Sequence, residues 1–312
     1  MVSSAAYYYS PHGLLFIEGE DSATFLQGQF SQELRISDKE VAYGLWLNSK
    51  GKILGDSFVL KISDQRFLAI SYSTETGVMR ENLENRIIMD EVETRSTGSG
   101  GLSVSLWGDS IGAVLDRFGL EEPKEGGFSS SKDVFAFWGR RGDSRNLEVV
   151  VLSSGLAEAL KIVLENFSVR ILDTNTIGLI ALKSRFFELC RDILESDLPQ
   201  EVGLGDSAVS YRKGCYIGQE VMARLKSMGQ ARRELECVSV SRNPEGESPW
   251  KLLDSDGKRV GELRRVLSGS GGLVGSAMLK RSRPGGACSI DGQADVIVHS
   301  VVQMKAARAN EV

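Results

Sequence analysis

Near residue 232 the chain changes character, and that change limits its architecture more than any other feature. Upstream, apolar stretches of strand period alternate with stretches of helical period. Downstream, residues 235–240, 257–263, 272–279 and 294–302 are short β-like runs separated by Gly, Ser, Asn and Pro. Short strands at regular spacing with turn residues between them specify a small barrel or sandwich. At 312 residues the chain also exceeds one ordinary core, so two or three domains are expected. The plan is a mixed α+β body followed by an all-β unit, with the boundary near 229–233.

Within the body, residues 14–17 read as a strand between Gly13 and Gly19, and Asp21 as the N-cap of a helix at about 22–30. Residues 41–60 read as a hairpin around Asn48-Ser49-Lys50-Gly51. There the asparagine bonds its own backbone and the glycine takes positive φ. A strand at 67–71 and a helix at 74–87 follow. The Gly/Ser segment 96–101 is a loop without the lysine of a phosphate loop. Next come a strand at 102–106, a helix at 108–118 and a polar connection over 119–133. A hairpin with strands at 134–138 and 147–152 carries Arg140-Arg141-Gly142-Asp143, read as a charged tip, and a helix runs to 167. Residues 176–195 are expected to form one helix, with Cys190 in its packed face and Leu198-Pro199 as its stop. The tail 305–312 is expected to fray.

With 41% apolar and 25% charged residues the chain reads as soluble and globular. A net charge of -5 argues against a protein whose whole surface binds nucleic acid, while allowing a local basic patch. The cysteines at 190, 215, 237 and 288 show neither a C-x-x-C pair nor ligand spacing. A reducing cytoplasm is therefore the expected compartment. His12 and His299 stand at opposite ends, against a His-rich metal site. Residues 1–11 carry no basic n-region and no apolar run of membrane length, so no membrane contact is expected.

The chemistry concentrates in Tyr211-Arg212-Lys213-Gly214-Cys215-Tyr216-Ile217-Gly218-Gln219-Glu220 and continues to Arg224. Two glycines four apart mark a tight backbone path. Arg212, Lys213, Arg224 and Lys226 surround the cysteine in sequence, with Glu220 the sole acid. Positive neighbours favour a thiolate, which makes Cys215 the candidate reactive sulfur; a buried structural cysteine in a glycine-bounded turn is the alternative.

Lys213 to Glu220, with Arg224, Gly229 and Arg232 downstream, resembles the signature of the YgfZ-type folate-binding proteins, in the superfamily of the glycine-cleavage T-protein (aminomethyltransferase). Gly19 to Gln29, Asn48 to Lys52, Leu198 to Leu204 and Gly261 to Leu279 resemble further segments of that superfamily. The resemblance implies an α+β cloverleaf of three domains. Two interlocked α+β domains would fill 1–230, the second inserted at roughly 50–135, and a β-barrel would fill 231–312. It implies tetrahydrofolate in a central opening, iron–sulfur client or assembly proteins as partners, and a role in making or maintaining iron–sulfur enzymes, including some that modify tRNA. A monomer is expected, and direct nucleic-acid binding is not. Cys215 matches the invariant cysteine of that branch and Lys213 its signature lysine.

Two departures bear on the chemistry. The T-protein hairpin carries an aspartate pair where this chain has Gly55-Asp56, so only Asp56 remains and glycine-cleavage chemistry is not expected. The Arg-x-Glu-x-Gly-x-Pro run is replaced by Ala181-Leu182-Lys183-Ser184-Arg185-Phe186-Phe187, which removes the glutamate that contacts the pterin. A folate site needs carboxylate or carbonyl groups for the pterin edge, apolar walls and positive charge at its mouth. Glu201 or Glu220 meets the first need, Tyr211, Tyr216 or Trp46 the second, and Arg212, Arg224 and Lys226 the third, with Asn48 in the adjoining hairpin. Glu220 and Arg224 also have the spacing of a helical ion pair. The alternatives to a folate-dependent helper are a one-carbon transferase using Asp56 and a binding module using the basic cluster from Arg212 to Arg233.

Overall fold

The computed structural model describes residues 4–97, 101–142 and 145–301. Residues 98–100 of the Gly/Ser loop, Asp143 of the charged tip and the 305–312 tail lie outside them. The first part contains β1 (Ala5–Tyr9), β2 (Gly13–Glu18), α1 (Ser22–Gln29), β3 (Val41–Leu47), β4 (Ile53–Ser63), β5 (Arg66–Ser71), α2 (Thr76–Glu84) and β6 (Glu93–Ser96). There follow β7 (Leu102–Trp107), α3 (Ile111–Arg117), β8 (Phe128–Ser131), β9 (Val134–Trp138), β10 (Leu147–Val151), α4 (Ser154–Asn166), β11 (Arg170–Ile171), α5 (Thr174–Lys183) and α6 (Gln219–Met228). The last part is β12 (Arg233–Val240), β13 (Trp250–Leu253), β14 (Arg259–Gly269), β15 (Gly272–Lys280), β16 (Cys288–Ile290) and β17 (Gln293–Ser300).

These strands form a five-stranded sheet, β3-β4-β5-β2-β6, a six-stranded sheet, β11-β1-β7-β10-β9-β8, and a closed barrel, β12-β15-β14-β13-β16-β17. The five-stranded sheet takes all its strands from residues 13–96, and the six-stranded sheet takes β1 before them and the rest after. The interposed segment is thus 13–96, where 50–135 was expected; position 50 falls in the turn of the β3–β4 hairpin, whose two strands pair with each other.

The β2 sequence shows why the sheets are stacked. Leu14 and Phe16 join a core shared with Phe58, Phe137 and Val150, while Leu15 and Ile17 join a core with Phe25, Leu26 and Met79. Alternate residues of a strand point to opposite faces, so an unbroken apolar run must be covered on both. The two sheets cover one another on the inside, α1 and α2 cover the five-stranded sheet outside, and α3 and α4 cover the other. Each large side chain fully buried this way, such as Phe67, Phe137 or Leu68, contributes roughly 1.5–3 kcal/mol.

Three local expectations are corrected. Asp21 occupies the N-cap position of α1 but its carboxylate caps nothing there; it accepts from the Glu91 amide at 2.8 Å, tying α1 to the β6 approach. The helix expected over 176–195 ends at Lys183. Arg185 adopts φ 58°, the Phe186 amide bonds to the Ala181 carbonyl and the Arg185 amide to Leu182, a left-handed helix cap. Glycine usually fills that position, and here arginine does. Cys190, placed by the sequence in a helical core face, is exposed on the irregular chain beyond, at φ 63°.

The barrel is fastened to the body by ion pairs in the described residues. Arg264 on β14 is 3% exposed and bonds Asp197 and Glu262. Arg265 bonds Glu188 at 2.7 Å and Asp192 at 3.3 Å, and Ser276 donates to Asp192 at 2.6 Å.

Candidate functional site

Cys215 is exposed on the loop between Tyr211 and α6. What holds that loop is Lys213, 6% exposed, whose Nζ donates to the Phe30 and Gln32 carbonyls at 2.8 Å each. The ammonium also lies 5.3 Å from the Tyr216 ring centroid. Burial lowers the Lys213 pKa from 10.5 to about 8; nearby Glu33 opposes this and Arg35 adds to it. The Ile217 amide donates to the Gly28 carbonyl, so the Gln27-Gly28-Gln29 end of α1 is a second anchor.

The third anchor is the Asn48 turn. Asn48 Oδ1 accepts from the Lys50 and Lys52 amides at 2.9 and 3.0 Å, and Gly51 sits at φ 71°. Gly218, the N-cap of α6 at φ 83°, lies so close that a Cβ there would stand 2.8 Å from the Asn48 carbonyl oxygen. A Cβ on Gly51 would stand 2.7 Å from Met222 Cε. Gly218 is thus seated against the hairpin backbone, which requires glycine there, while at Gly51 the positive φ makes the demand.

Tyr216 packs in the core beneath, 7% exposed, its hydroxyl unpartnered and its pKa raised to about 12, chiefly by burial. Tyr211 is half-buried, accepts from Gln200 at 3.1 Å and carries the Lys226 ammonium over its ring. Glu220 and Arg224 are both exposed on α6. Cys215 borders a cleft of about 540 Å³ with Thr24, Gln27, Arg35 and Lys61 among its walls.

The other sequence candidates lie elsewhere. Glu201, 6% exposed, is held by the Arg233 guanidinium in a two-pronged pair at 2.9 and 2.8 Å and accepts from the Leu198 amide. Trp46 is buried against Phe30 and donates to Ser57. Asp56, 3% exposed on β4, accepts from Ser71, Tyr43 and Thr74 hydroxyls at 2.7, 2.8 and 3.2 Å. Burial raises its pKa, against the lowering effect of those hydrogen bonds.

Near Asp56 is a second cleft, of about 320 Å³, at the junction of the two sheets. Tyr7 and Tyr9, two apart on β1, stack at 6.2 Å, and Tyr72 meets Tyr9 edge-on at 5.6 Å. Arg141 lies over all three rings, 4.0 Å from the Tyr72 centroid. Far from being a charged tip, it is 4% exposed, contacts Glu188 at 3.4 Å, and leaves its Nε without a partner. The Tyr9 and Tyr72 hydroxyls donate to Glu148, which is fully buried. Glu188, Cys190 and Arg191 complete the wall. Cys190 and Arg191 also border a third cleft of about 560 Å³ that reaches Arg264 and Arg265 on the barrel. Partial burial of the Cys190 thiol, with the charges of Asp56, Glu195 and Glu75, raises its pKa.

The structure therefore gathers Asn48, Lys213, Cys215, Tyr216 and α6 into one site, and sets Asp56 beside a different cleft and Glu201 at the barrel junction. Sequence reading passed over Tyr9, Tyr72, Arg141 and Glu188. The Tyr7-Tyr8-Tyr9 run and the paired arginines at 140–141 were the available signals. Among the described residues no three His, Cys, Asp or Glu side chains converge as metal ligands. No helix there is long and apolar enough to cross a membrane.

No protein-family model matches the chain. An iron–sulfur cluster assembly factor IBA57 homolog, mitochondrial, from Neosartorya fischeri is 25% identical over 263 residues, 76% of this chain and 58% of that relative. The chain spans 55 to 58% of the length of four IBA57 homologues that it matches, from Neosartorya fischeri and three Aspergillus species. The tRNA-modifying protein YgfZ of Colwellia psychrerythraea is 22% identical over 81% of this chain and 76% of its own length. An aminomethyltransferase of Staphylococcus carnosus is 24% identical over 80% of this chain and 71% of its own. The glycine cleavage system aminomethyltransferase T from Bartonella henselae superimposes with a TM-score of 0.81, at 18% identity, over 96% of this chain and 86% of that one. The chain is similar in sequence to IBA57 and YgfZ proteins and has the fold of the glycine-cleavage aminomethyltransferase T.

Proposed function

We propose that this protein is a folate-binding helper in the assembly or repair of iron–sulfur enzymes, including tRNA-modifying ones, acting through the exposed Cys215 thiol. The observation that carries the folate assignment is the cleft where the sheets meet. It sets stacked tyrosine faces beside a buried guanidinium whose Nε lacks a partner. Flat ring systems and acceptor groups suit such a donor set.

A reduced folate fits on chemical grounds. Tyr7, Tyr9 and Tyr72 would hold its ring, and Arg141 and Glu188 its polar edge. Arg191 and Arg265 in the adjoining cleft would hold the anionic tail. Glu188 lines this cleft, whereas Glu201 and Glu220, the carboxylates first considered, do not. The folate would supply one-carbon or redox chemistry, while the protein's groups bind and orient it.

Cys215 lies with a different set of residues, on a loop pinned by Lys213. A lone thiolate cannot hold an iron–sulfur cluster, which takes four ligands, so any cluster contact is shared with a partner protein. The names of the IBA57 and YgfZ relatives support this reading.

The test is an anaerobic tryptophan-fluorescence titration with tetrahydrofolate on wild type, Cys215→Ser and Glu188→Gln. Saturable binding in the first two, weakened in the third, is expected. Absence of binding to the wild type would remove folate from the assignment.

A further inference from the structure

The face around the signature loop also carries unbalanced charge. Arg35, Lys50, Arg212, Arg224 and Arg232 are exposed, and none has an ion-pair partner among the described residues. Neighbouring cations are matched, Lys226 with Asp206 and Arg281 with Glu234. Between residues 211 and 232 the only acid is Glu220. The contacts described above bring Arg35 and Lys50 to the segment that carries the other three: Arg35 shares a cleft with Cys215, and the Lys50 turn seats against Gly218 at the start of α6. Arg232 accepts the Arg281 amide at the edge of the barrel. All this stands on a chain of net charge -5.

We propose that this face, formed by α6, the Asn48 turn and the Cys215 loop, is a docking surface for an acidic protein. Complementary potential steers such a partner and fixes its orientation. Two observations favour a protein over a nucleic acid. Single-stranded nucleic acid binds best where exposed aromatic rings stack its bases. The only aromatics between residues 211 and 232 are Tyr216, which is buried, and Tyr211, whose ring is covered by Lys226. The large apolar side chain that is exposed there is Met228, 62% accessible at the end of α6, and methionine is enriched in protein interfaces. The proposal rests on the helper reading for its partner class.

The test uses the full chain, reduced, with fluorescence anisotropy of a labelled Glu/Asp-rich peptide and of a single-stranded RNA of equal charge. The variant is Arg212→Glu/Arg224→Glu/Arg232→Glu. The control, Arg117→Glu/Lys124→Glu/Arg170→Glu, makes the same charge change at exposed positions on α3, the α3–β8 connection and β11. Peptide affinity is expected to fall by about tenfold or more in the variant, by less than about threefold in the control, and to weaken with salt in the wild type. Preferential binding of the RNA, equal loss in both variants, or no peptide binding by the wild type would overturn the proposal. Tetrahydrofolate titration of the same proteins separates the two readings. Folate binding retained while peptide binding is lost supports the surface, and peptide binding without any folate binding would refute the cofactor alone.

Discussion

Replacing Gly218 with alanine tests whether the signature loop is seated on the hairpin as described. The left-handed conformation at φ 83° costs a residue bearing a Cβ about 1–2 kcal/mol. The new methyl would also stand 2.8 Å from the Asn48 carbonyl oxygen, a backbone atom that already accepts the Gly51 amide at 2.9 Å and cannot swing aside. Overpacking of this kind costs about 1–3 kcal/mol, so the total is about 2–5 kcal/mol. Gly214 is the internal control: a Cβ there meets no atom within 4 Å, and its φ is not positive. Alanine at 214 should be neutral, or stabilise by up to about 1 kcal/mol through the unfolded chain. Urea titration reports the global loss, and amide exchange at Gly51 and Asn48 reports the local one. At about tenfold per 1.4 kcal/mol, those amides should exchange at least about 30-fold faster in Gly218→Ala. Equal effects of the two substitutions, or a silent Gly218→Ala, would refute the backbone-to-backbone seat.

Two further outcomes follow from buried ionisable groups. Lys213 has a folded pKa of about 8 against 10.5, so the unfolded chain holds that proton more tightly. Its stability contribution is fully present above about pH 10.5 and is lost as pH falls through about 8, amounting to about 3 kcal/mol at 1.36 kcal/mol per pH unit. Lys213→Met should flatten urea midpoints measured across that window; a slope identical to wild type would show that another group titrates there. For Asp56→Asn, a helper should keep folate affinity within about threefold and still support an iron–sulfur client enzyme in cells. A loss of one-carbon turnover with purified protein would instead establish Asp56 as a working acid of a transferase.

Much of the fold was legible because local signals agreed with tertiary demands. Asn48 and Gly51 make the turn that their chemistry specifies, and the Gly- and Ser-punctuated runs after Arg232 close into a barrel. The signature singled out Cys215 and its neighbour Lys213, and the structure places that cysteine on the surface. Failures came where tertiary contacts decide. Nothing local announces that α5 stops before Arg185, since the residue that takes the left-handed cap is not glycine. Arg141 looked like a solvated hairpin charge because its three tyrosines and Glu188 come from distant segments. Likewise, the sequence grouped Asp56 and Glu201 with Cys215 through one family pattern, whereas the chain's path separates them into different environments.

The salt links across the barrel junction have a consequence for dissecting the molecule. Glu188, Asp192, Asp197 and Glu201 are all buried on the body side, and Arg265, Arg264 and Arg233 beyond the junction supply their counter-charges. A fragment ending before Arg233 would keep four enclosed carboxylates and forfeit those cations; Glu188 would retain Arg141 and Arg191, but for Asp192, Asp197 and Glu201 the loss is relieved only by protonation or by unravelling of residues 184–210. That same stretch borders the tyrosine cleft and leads into the Cys215 loop. The barrel is therefore no detachable appendage: a truncated body is expected to survive, if at all, under acid, and to lose both clefts together.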